Sequence, residues 1–126
     1  MIDIDKQVAY WRDVADEDWV VACSLIRQQH TRHGLFFAHL ALEKAIKAHV
    51  CRVTRDLAPR THNLVRLAEV ASLRMSDEQI DVLAEFNAFS LEGRYPEQLS
   101  APPTAAEAMD CLERAEPVYA WLMQQL

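Results

Sequence analysis

The sequence has 126 residues, of which 51% are hydrophobic and 25% charged, and its formal net charge is −6. This length and composition are typical of one globular domain with one core, so we expect a single domain over residues 1–126. Two glycines are too few for the turns of a β-rich fold. No apolar run approaches the roughly 20 residues that span a bilayer, and no N-terminal apolar run follows a basic start in the manner of a signal peptide, so we expect no membrane association.

Apolar residues recur every three or four positions along most of the chain. This spacing predicts an all-α fold, an up-and-down helical bundle of four long helices plus one short helix. Asp3 or Asp5 can cap the first helix. The predicted helices cover, in chain order, residues 5–29, 35–53, 63–73, 76–91 and 105–126.

Helix starts and ends are marked by local motifs. Ser76 with Gln79, and Thr104 with Glu107, have the spacing of a capping box, in which each side chain accepts a hydrogen bond from a free N–H of the first turn. Glycine and proline residues, which interrupt helices, define the remaining helix boundaries. We expect a break at residues 31–34, the end of the fourth helix at Gly93 and Pro96, and a kink near Glu113 caused by Pro117.

Charge is divided unevenly along the chain. Residues 1–26 have a net charge of −4 and residues 75–126 of −8, whereas residues 27–74 carry nine Lys and Arg against three acids, a net charge of +6. All five histidines also lie in this basic segment. Such a segment, framed by acidic ones, either forms one site for an anion or holds the helices together by attraction.

Cysteine and histidine spacing gives no metal site. Cys23, Cys51 and Cys111 are far apart, odd in number and surrounded by apolar residues, which is typical of buried free thiols in a cytoplasmic protein. His30 and His33 are three apart but have no third ligand at a supporting spacing, and zinc needs three or four. We therefore expect neither a metal nor another cofactor.

Three short stretches contain candidate binding residues. Lys44 and Lys47 are three apart, so both ammonium groups leave one side of the second helix, either as solvated charges or facing an anion. Glu43 and Lys47 are four apart, which predicts a favourable ion pair on this helix. His62 lies in a Thr-His-Asn-Leu stretch, where Thr61 or Asn63 can cap the third helix. Arg94 and Tyr95 belong to a Gly-Arg-Tyr-Pro turn, where the arginine also suits a helix C-terminus. The predicted anion or partner site consists of Lys44, Lys47, His62, Arg94 and Tyr95.

These stretches, taken in order, resemble the HEPN domain family of compact prokaryotic type. The resemblance rests on four segments that span nearly the whole chain. They are ADEDW at residues 15–19, FFAHLALEKAIKA at 36–48, THNL at 61–64 and RYP at 94–96.

The resemblance implies a helical bundle that forms a homodimer and often works with a minimal nucleotidyltransferase, in many cases as toxin and antitoxin. Some HEPN domains are ribonucleases with an Arg-x(4–6)-His motif in a late helix. Here Arg94 is followed by Tyr-Pro-Glu-Gln-Leu-Ser, without a histidine. Looser matches occur earlier, at Arg27/His33, Arg32/His39 and Arg55/His62, as expected by chance for such a short motif.

The sequence therefore predicts a non-catalytic module in the cytoplasm that binds a nucleotide or a nucleotidyltransferase, with no residue assigned to catalysis. Two alternatives stay open. One is a metal-independent ribonuclease toxin that uses Arg94 and Tyr95 or a site completed across a dimer, with RNA as its substrate. The other is a plain structural dimerisation domain.

Overall fold

The computed structural model describes residues 2–94 and 101–126, and for residues 91–94 it describes the backbone only. Within these ranges the chain forms five α-helices and no strand, which confirms the predicted all-α bundle of four long helices and one short helix. None of the described helices is long and apolar enough to cross a membrane. The helices are α1 (Ile4–Arg27), α2 (Thr31–Thr54), α3 (Leu64–Val70), α4 (Asp77–Arg94) and α5 (Ala105–Gln124).

Both predicted capping boxes are confirmed. Before α4, the Ser76 hydroxyl accepts from the Gln79 N–H at 3.1 Å, and the Gln79 side chain accepts from the Ser76 N–H at 2.8 Å. Thr104 and Glu107 make the same reciprocal pair at the start of α5, at 3.1 and 2.9 Å. Local sequence therefore sets where these helices begin. Single side-chain caps begin α1 and α3, at Asp3 and Asn63.

The predicted break at residues 31–34 is wrong. The connection is shorter, residues 28–30, and Gln29 turns the chain with a φ of 65°. Gly34 lies inside the first turns of α2, where a Cβ atom would collide with the Ile26 side chain of α1. Here glycine allows the two helices to pack closely. Glycine is a poor helix former, and the close packing offsets the helix stability that is lost.

The predicted end of α4 at Gly93 is also wrong, because the helix continues through Gly93 to Arg94. Pro96 lies outside the described residues. Pro117 lies inside α5. The kink that we expect there remains a prediction.

Helix α2 is the centre of the bundle and packs against all four other helices. Its inner face is completely buried and consists mainly of aliphatic side chains. Trp19 of α1 stacks on Tyr119 of α5, with ring centroids 4.4 Å apart. The three cysteines are unbridged, and Cys51 and Cys111 are buried. The buried positions of the α2 face are Leu35, His39, Leu42, Ile46 and Val50.

Candidate functional site

Lys47 of the predicted site points into the α1–α2 interface. Its Nζ lies 3.0 Å from Glu43 Oε2, which confirms the predicted ion pair four residues apart. The same ammonium group lies 5.3 Å from the centre of the Trp11 ring, and the Lys47 side chain is only 7% exposed. Its charge is thus balanced by a carboxylate and an aromatic face within the bundle.

Lys44 is also paired with an acid. Its Nζ lies 2.7 Å from Asp18 of α1, and the two side chains are 21% and 12% exposed. Lys44 and Lys47 therefore both approach α1, and each has its own partner there. This geometry matches the interpretation in which basic residues hold helices together by attraction.

Glu43 is the centre of a polar network inside the bundle. Its carboxylate is almost completely buried and accepts from Lys47 on one oxygen and from His62 Nδ1, at 2.9 Å, on the other. His39, fully buried one turn before Glu43, donates from Nε2 to the His62 carbonyl at 3.1 Å, since a carbonyl can only accept. These contacts hold the α2–α3 loop against α2.

His62 is the residue of this network that reaches the surface. Because the Glu43 carboxylate only accepts, His62 carries its proton on Nδ1, and Nε2 bonds to no described residue. The His62 side chain is 51% exposed. The result is a histidine of fixed orientation whose Nε2 can accept a hydrogen bond or, when the ring is protonated, donate one.

Arg94 and Tyr95 complete the predicted site, but the side chain of Arg94 and all of Tyr95 lie outside the described residues. Helix α4 is nevertheless tied to the His62 loop. The Asn87 amide donates to Asn63 Oδ1 at 3.2 Å, and its oxygen accepts from the Leu64 N–H at 2.8 Å. Asn87 was not among the predicted residues, because its partners lie more than 20 residues away.

The central role of Glu43 was also missed at the level of the sequence, although a local signal existed. His39, Glu43 and Lys47 follow one another at intervals of four and share one face of α2. A buried acid between two basic groups on one helix face suggests a polar network. In the part of the chain that the structure describes, no cluster of three His, Cys, Asp or Glu residues could hold a metal ion.

Comparisons with known proteins identify the family. A family model described as the HEPN domain matches residues 8–126. The chain belongs to the HEPN domain family. This confirms the resemblance carried by the four segments of the sequence.

Solved structures share the HEPN fold with this chain. TT1696 from Thermus thermophilus is 20% identical with a TM-score of 0.78, and the match covers 95% of this chain and 98% of TT1696. ST0689, an archaeal HEPN homologue, is also 20% identical, with a TM-score of 0.73 and coverage of 94% and 96%. At this identity the likeness concerns the fold alone. A search of curated proteins finds no match.

Proposed function

We propose that this HEPN chain is a non-catalytic interaction module that binds a minimal nucleotidyltransferase through the surface around His62. The observation that carries the proposal is the orientation of His62 by the buried Glu43 carboxylate at 2.9 Å. A half-exposed ring held by a buried acid presents Nε2 at a fixed position without a further loss of side-chain entropy. Such preorganisation suits recognition of a partner group.

The partner and its setting rest on family membership. HEPN domains commonly dimerise, and many work beside a minimal nucleotidyltransferase as a toxin–antitoxin pair, so we extend both features and a cytoplasmic location to this chain. Lys44 and Lys47 then act indirectly, because their ion pairs keep α1, α2 and the His62 loop in place. Arg94 and Tyr95 stay in the proposal as neighbouring contacts of the partner.

The proposed binding of a second copy of the chain is supported by an apolar surface that does not include His62. Val20 and Val21 of α1 are 60% and 40% exposed. Val21, Leu25 and Phe37 line a groove of about 430 Å³ where the end of α1 meets the start of α2. Exposed apolar side chains beside such a groove are typical of a protein–protein interface. We therefore assign this face to the homodimer.

A ribonuclease is the second candidate, and the Glu43–His62 pair is what favours it. A histidine oriented by a carboxylate can take the proton of a 2′-hydroxyl through Nε2. The reaction also needs a cation to stabilise the developing charge. Arg55, which precedes His62 at the loose motif spacing, is ion-paired to Asp5 at 3.4 Å. Among the described residues no cation is hydrogen-bonded to His62 Nε2, so we propose binding rather than catalysis.

The test of the proposal begins with the nucleotidyltransferase encoded in a reading frame beside this one. Calorimetry of the two purified proteins measures their affinity, and His62→Glu is expected to weaken it by about tenfold or more. The matched control is Arg12→Gln, which also lowers the charge by one and whose ion pair is with its neighbour Asp13. Equal affinity of His62→Glu and the parent, or no adjacent nucleotidyltransferase, would contradict the proposal.

Two further measurements separate the alternatives. Incubation of the parent protein with RNA, in the presence of a metal chelator, is expected to leave the RNA intact. Cleavage that is lost in His62→Ala would establish the ribonuclease instead. Nucleotide binding that His62→Ala abolishes, without any nucleotidyltransferase complex, would assign the surface to a small ligand.

A further inference from the structure

The loop that carries His62 is held by two helices. From α2, His39 donates to the His62 carbonyl at 3.1 Å, and the Glu43 carboxylate accepts from the His62 ring at 2.9 Å. From α4, Asn87 bonds to the two residues that follow His62. The contacts with α2 orient the ring, whereas the contacts with α4 hold the backbone that carries it.

Asn87 uses both ends of its side-chain amide. Because a backbone N–H can only donate, the Asn87 oxygen accepts from the Leu64 N–H, at 2.8 Å, and the amide nitrogen donates to Asn63 Oδ1, at 3.2 Å. Leu64 is the first residue of α3, where the helix itself offers no acceptor for the N–H. Asn87 therefore satisfies a donor that α3 leaves free.

Asn63 connects Asn87 to the start of α3 and to the loop. Its Oδ1 accepts from Asn87 and, as the N-cap of α3, from the Arg66 N–H at 3.1 Å. Its own N–H donates to Thr61 Oγ1 at 3.2 Å, so the two neighbours of His62 are bonded to each other. A shift of Asn63 would therefore move His62 as well.

The contact between Asn87 and Leu64 is partly shielded from water. The Leu64 side chain is fully buried, and the hydrogen bond between its N–H and Asn87 is part-buried. A donor that loses its partner in such a position is not fully rehydrated, which costs more than the loss of a bond at the surface. The loop can avoid this cost by moving towards water, and the His62 ring then leaves the Glu43 carboxylate.

We propose that Asn87 is a positioning residue for His62: it sets the place of Nε2 through the start of α3 and does not itself contact the partner. This inference rests on the proposed function, in which Nε2 meets a nucleotidyltransferase. The position of Nε2 then depends on how α4 lies against α2, because each helix holds one side of the loop. A residue of α4 thus contributes to binding by ordering the group that binds.

Nitrogen NMR of the full chain tests the orientation of the ring without any partner. At about pH 8, where an ordinary histidine is neutral, it reports which ring nitrogen carries the proton. We expect His62 of the parent to carry the proton on Nδ1, as the bond to Glu43 requires. In Asn87→Ala the ring leaves Glu43 for part of the time, so about half or more of this form should be lost.

Calorimetry with the adjacent nucleotidyltransferase measures the effect on binding. Asn87→Ala is expected to weaken the affinity about fivefold, because the His62 ring must then be ordered on binding. Asn87→Asp keeps the acceptor for the Leu64 N–H and loses the donor to Asn63, so it should weaken the affinity only about twofold. This second variant keeps the test decisive if Asn87→Ala does not fold.

Thr31→Val is the matched control. It removes a hydrogen bond between distant parts of the chain, from Thr31 Oγ1 to the Pro103 carbonyl at 2.8 Å, and keeps the shape of the side chain. Thr31 lies about 18 Å from Glu43 along α2. This variant is expected to lower the unfolding temperature as Asn87→Ala does, and to leave both the His62 signal and the affinity unchanged.

Two results would overturn the inference. One is a His62 signal that is the same in the parent, Asn87→Ala and Asn87→Asp. The other is a loss of affinity in Asn87→Ala no greater than that in Thr31→Val, which would mean that Asn87 acts on stability alone. A parent that binds no nucleotidyltransferase would contradict the proposed function instead, and the NMR comparison would still decide whether Asn87 orients His62.

Discussion

Positive side chains are paired with acids in the α1–α2 interface, whereas in the groove at the helix ends they are not paired with an acid of the described residues. In the interface, Lys44 and Lys47 are mostly buried, and each meets a carboxylate within 3.0 Å. In the groove, where the C-terminal ends of α2 and α5 meet the turn between α3 and α4, Arg52 and Arg74 are exposed and meet no acid among the described residues. All four belong to the same basic segment of the sequence, residues 27–74. Net charge along a chain thus says little about the charge that is available to a ligand.

The difference has a physical basis in burial. A charge in a low-dielectric interior must be paired, or it costs several kcal/mol, so the buried lysines are necessarily neutralised. An exposed arginine is solvated and needs no partner, so its charge remains free to attract an anion. The first region should therefore be sensitive to the loss of a charge and the second should tolerate it. Four predictions test this contrast.

Glu43→Ala is expected to have the largest effect. It leaves Lys47 in the α1–α2 interface without its carboxylate and removes the partner of His62. Breaking a buried pair from one side costs about 3–5 kcal/mol of unfolding free energy, which urea denaturation measures. Replacing both partners, in Glu43→Leu/Lys47→Met, is expected to recover most of the loss. A cost below about 1 kcal/mol for Glu43→Ala would remove the contrast between the two regions.

Asp18→Asn tests the second buried pair against an exposed one. Asp18 is 12% exposed and bound to Lys44, whereas Asp5 is 87% exposed and bound to Arg55. Asp18→Asn is expected to cost about 1–3 kcal/mol and Asp5→Asn about 0–0.5 kcal/mol. Both changes remove one negative charge with little change in shape. Equal costs would mean that burial does not determine the strength of these pairs.

The stability of the protein is expected to depend on pH through His49, which lines the groove at the helix ends. Burial, with a smaller contribution from Arg52, lowers the pKa of His49 from 6.5, although the Leu122 carbonyl opposes this. Because the unfolded state then binds the proton more tightly, stability is complete above pH 6.5 and falls as the pH is lowered below it. Between pH 7 and about 5.5 the parent should lose up to about 1 kcal/mol more than His49→Gln. An identical slope for both proteins would contradict this.

The sequence predicts the parts of the fold that depend on neighbouring residues. The capping boxes at Ser76 and Thr104 and the Glu43–Lys47 pair involve positions three or four apart, so their geometry follows from the helix itself. The family also follows, because its segments keep their order along the chain. The sequence alone is therefore enough to predict where helices begin, which residues share a helix face and to which family the chain belongs.

Long-range partners are what the sequence does not predict. Gly34 looks like a helix breaker until the Ile26 side chain is seen to occupy the space beside it. Asp18 is one of six acids before residue 27, and nothing local selects it as the partner of Lys44. The groove brings together residues from three separate elements, so the relation of Arg74 to Trp121 exists only in the folded chain.

Arg74→Gln is expected to have the smallest effect on stability, and it tests the groove most directly. Arg74 is exposed and makes no ion pair with a described residue, so its loss should change the unfolding free energy by less than about 0.5 kcal/mol. Relief of repulsion with Arg52 favours a slight gain. Lys44→Gln, the matched loss of one positive charge in the α1–α2 interface, should cost more because Asp18 is then left partly buried without its cation.

Urea denaturation in one buffer measures the unfolding free energies of Arg74→Gln and Lys44→Gln. Repeating the measurement with added salt separates the two effects further. Repulsion between exposed arginines is screened by salt, whereas a buried pair is screened much less. The small gain in Arg74→Gln should therefore vanish at about 1 M salt, and the cost of Lys44→Gln should persist. A loss above about 1 kcal/mol in Arg74→Gln would make Arg74 a structural residue, and its charge would then need no ligand to explain it.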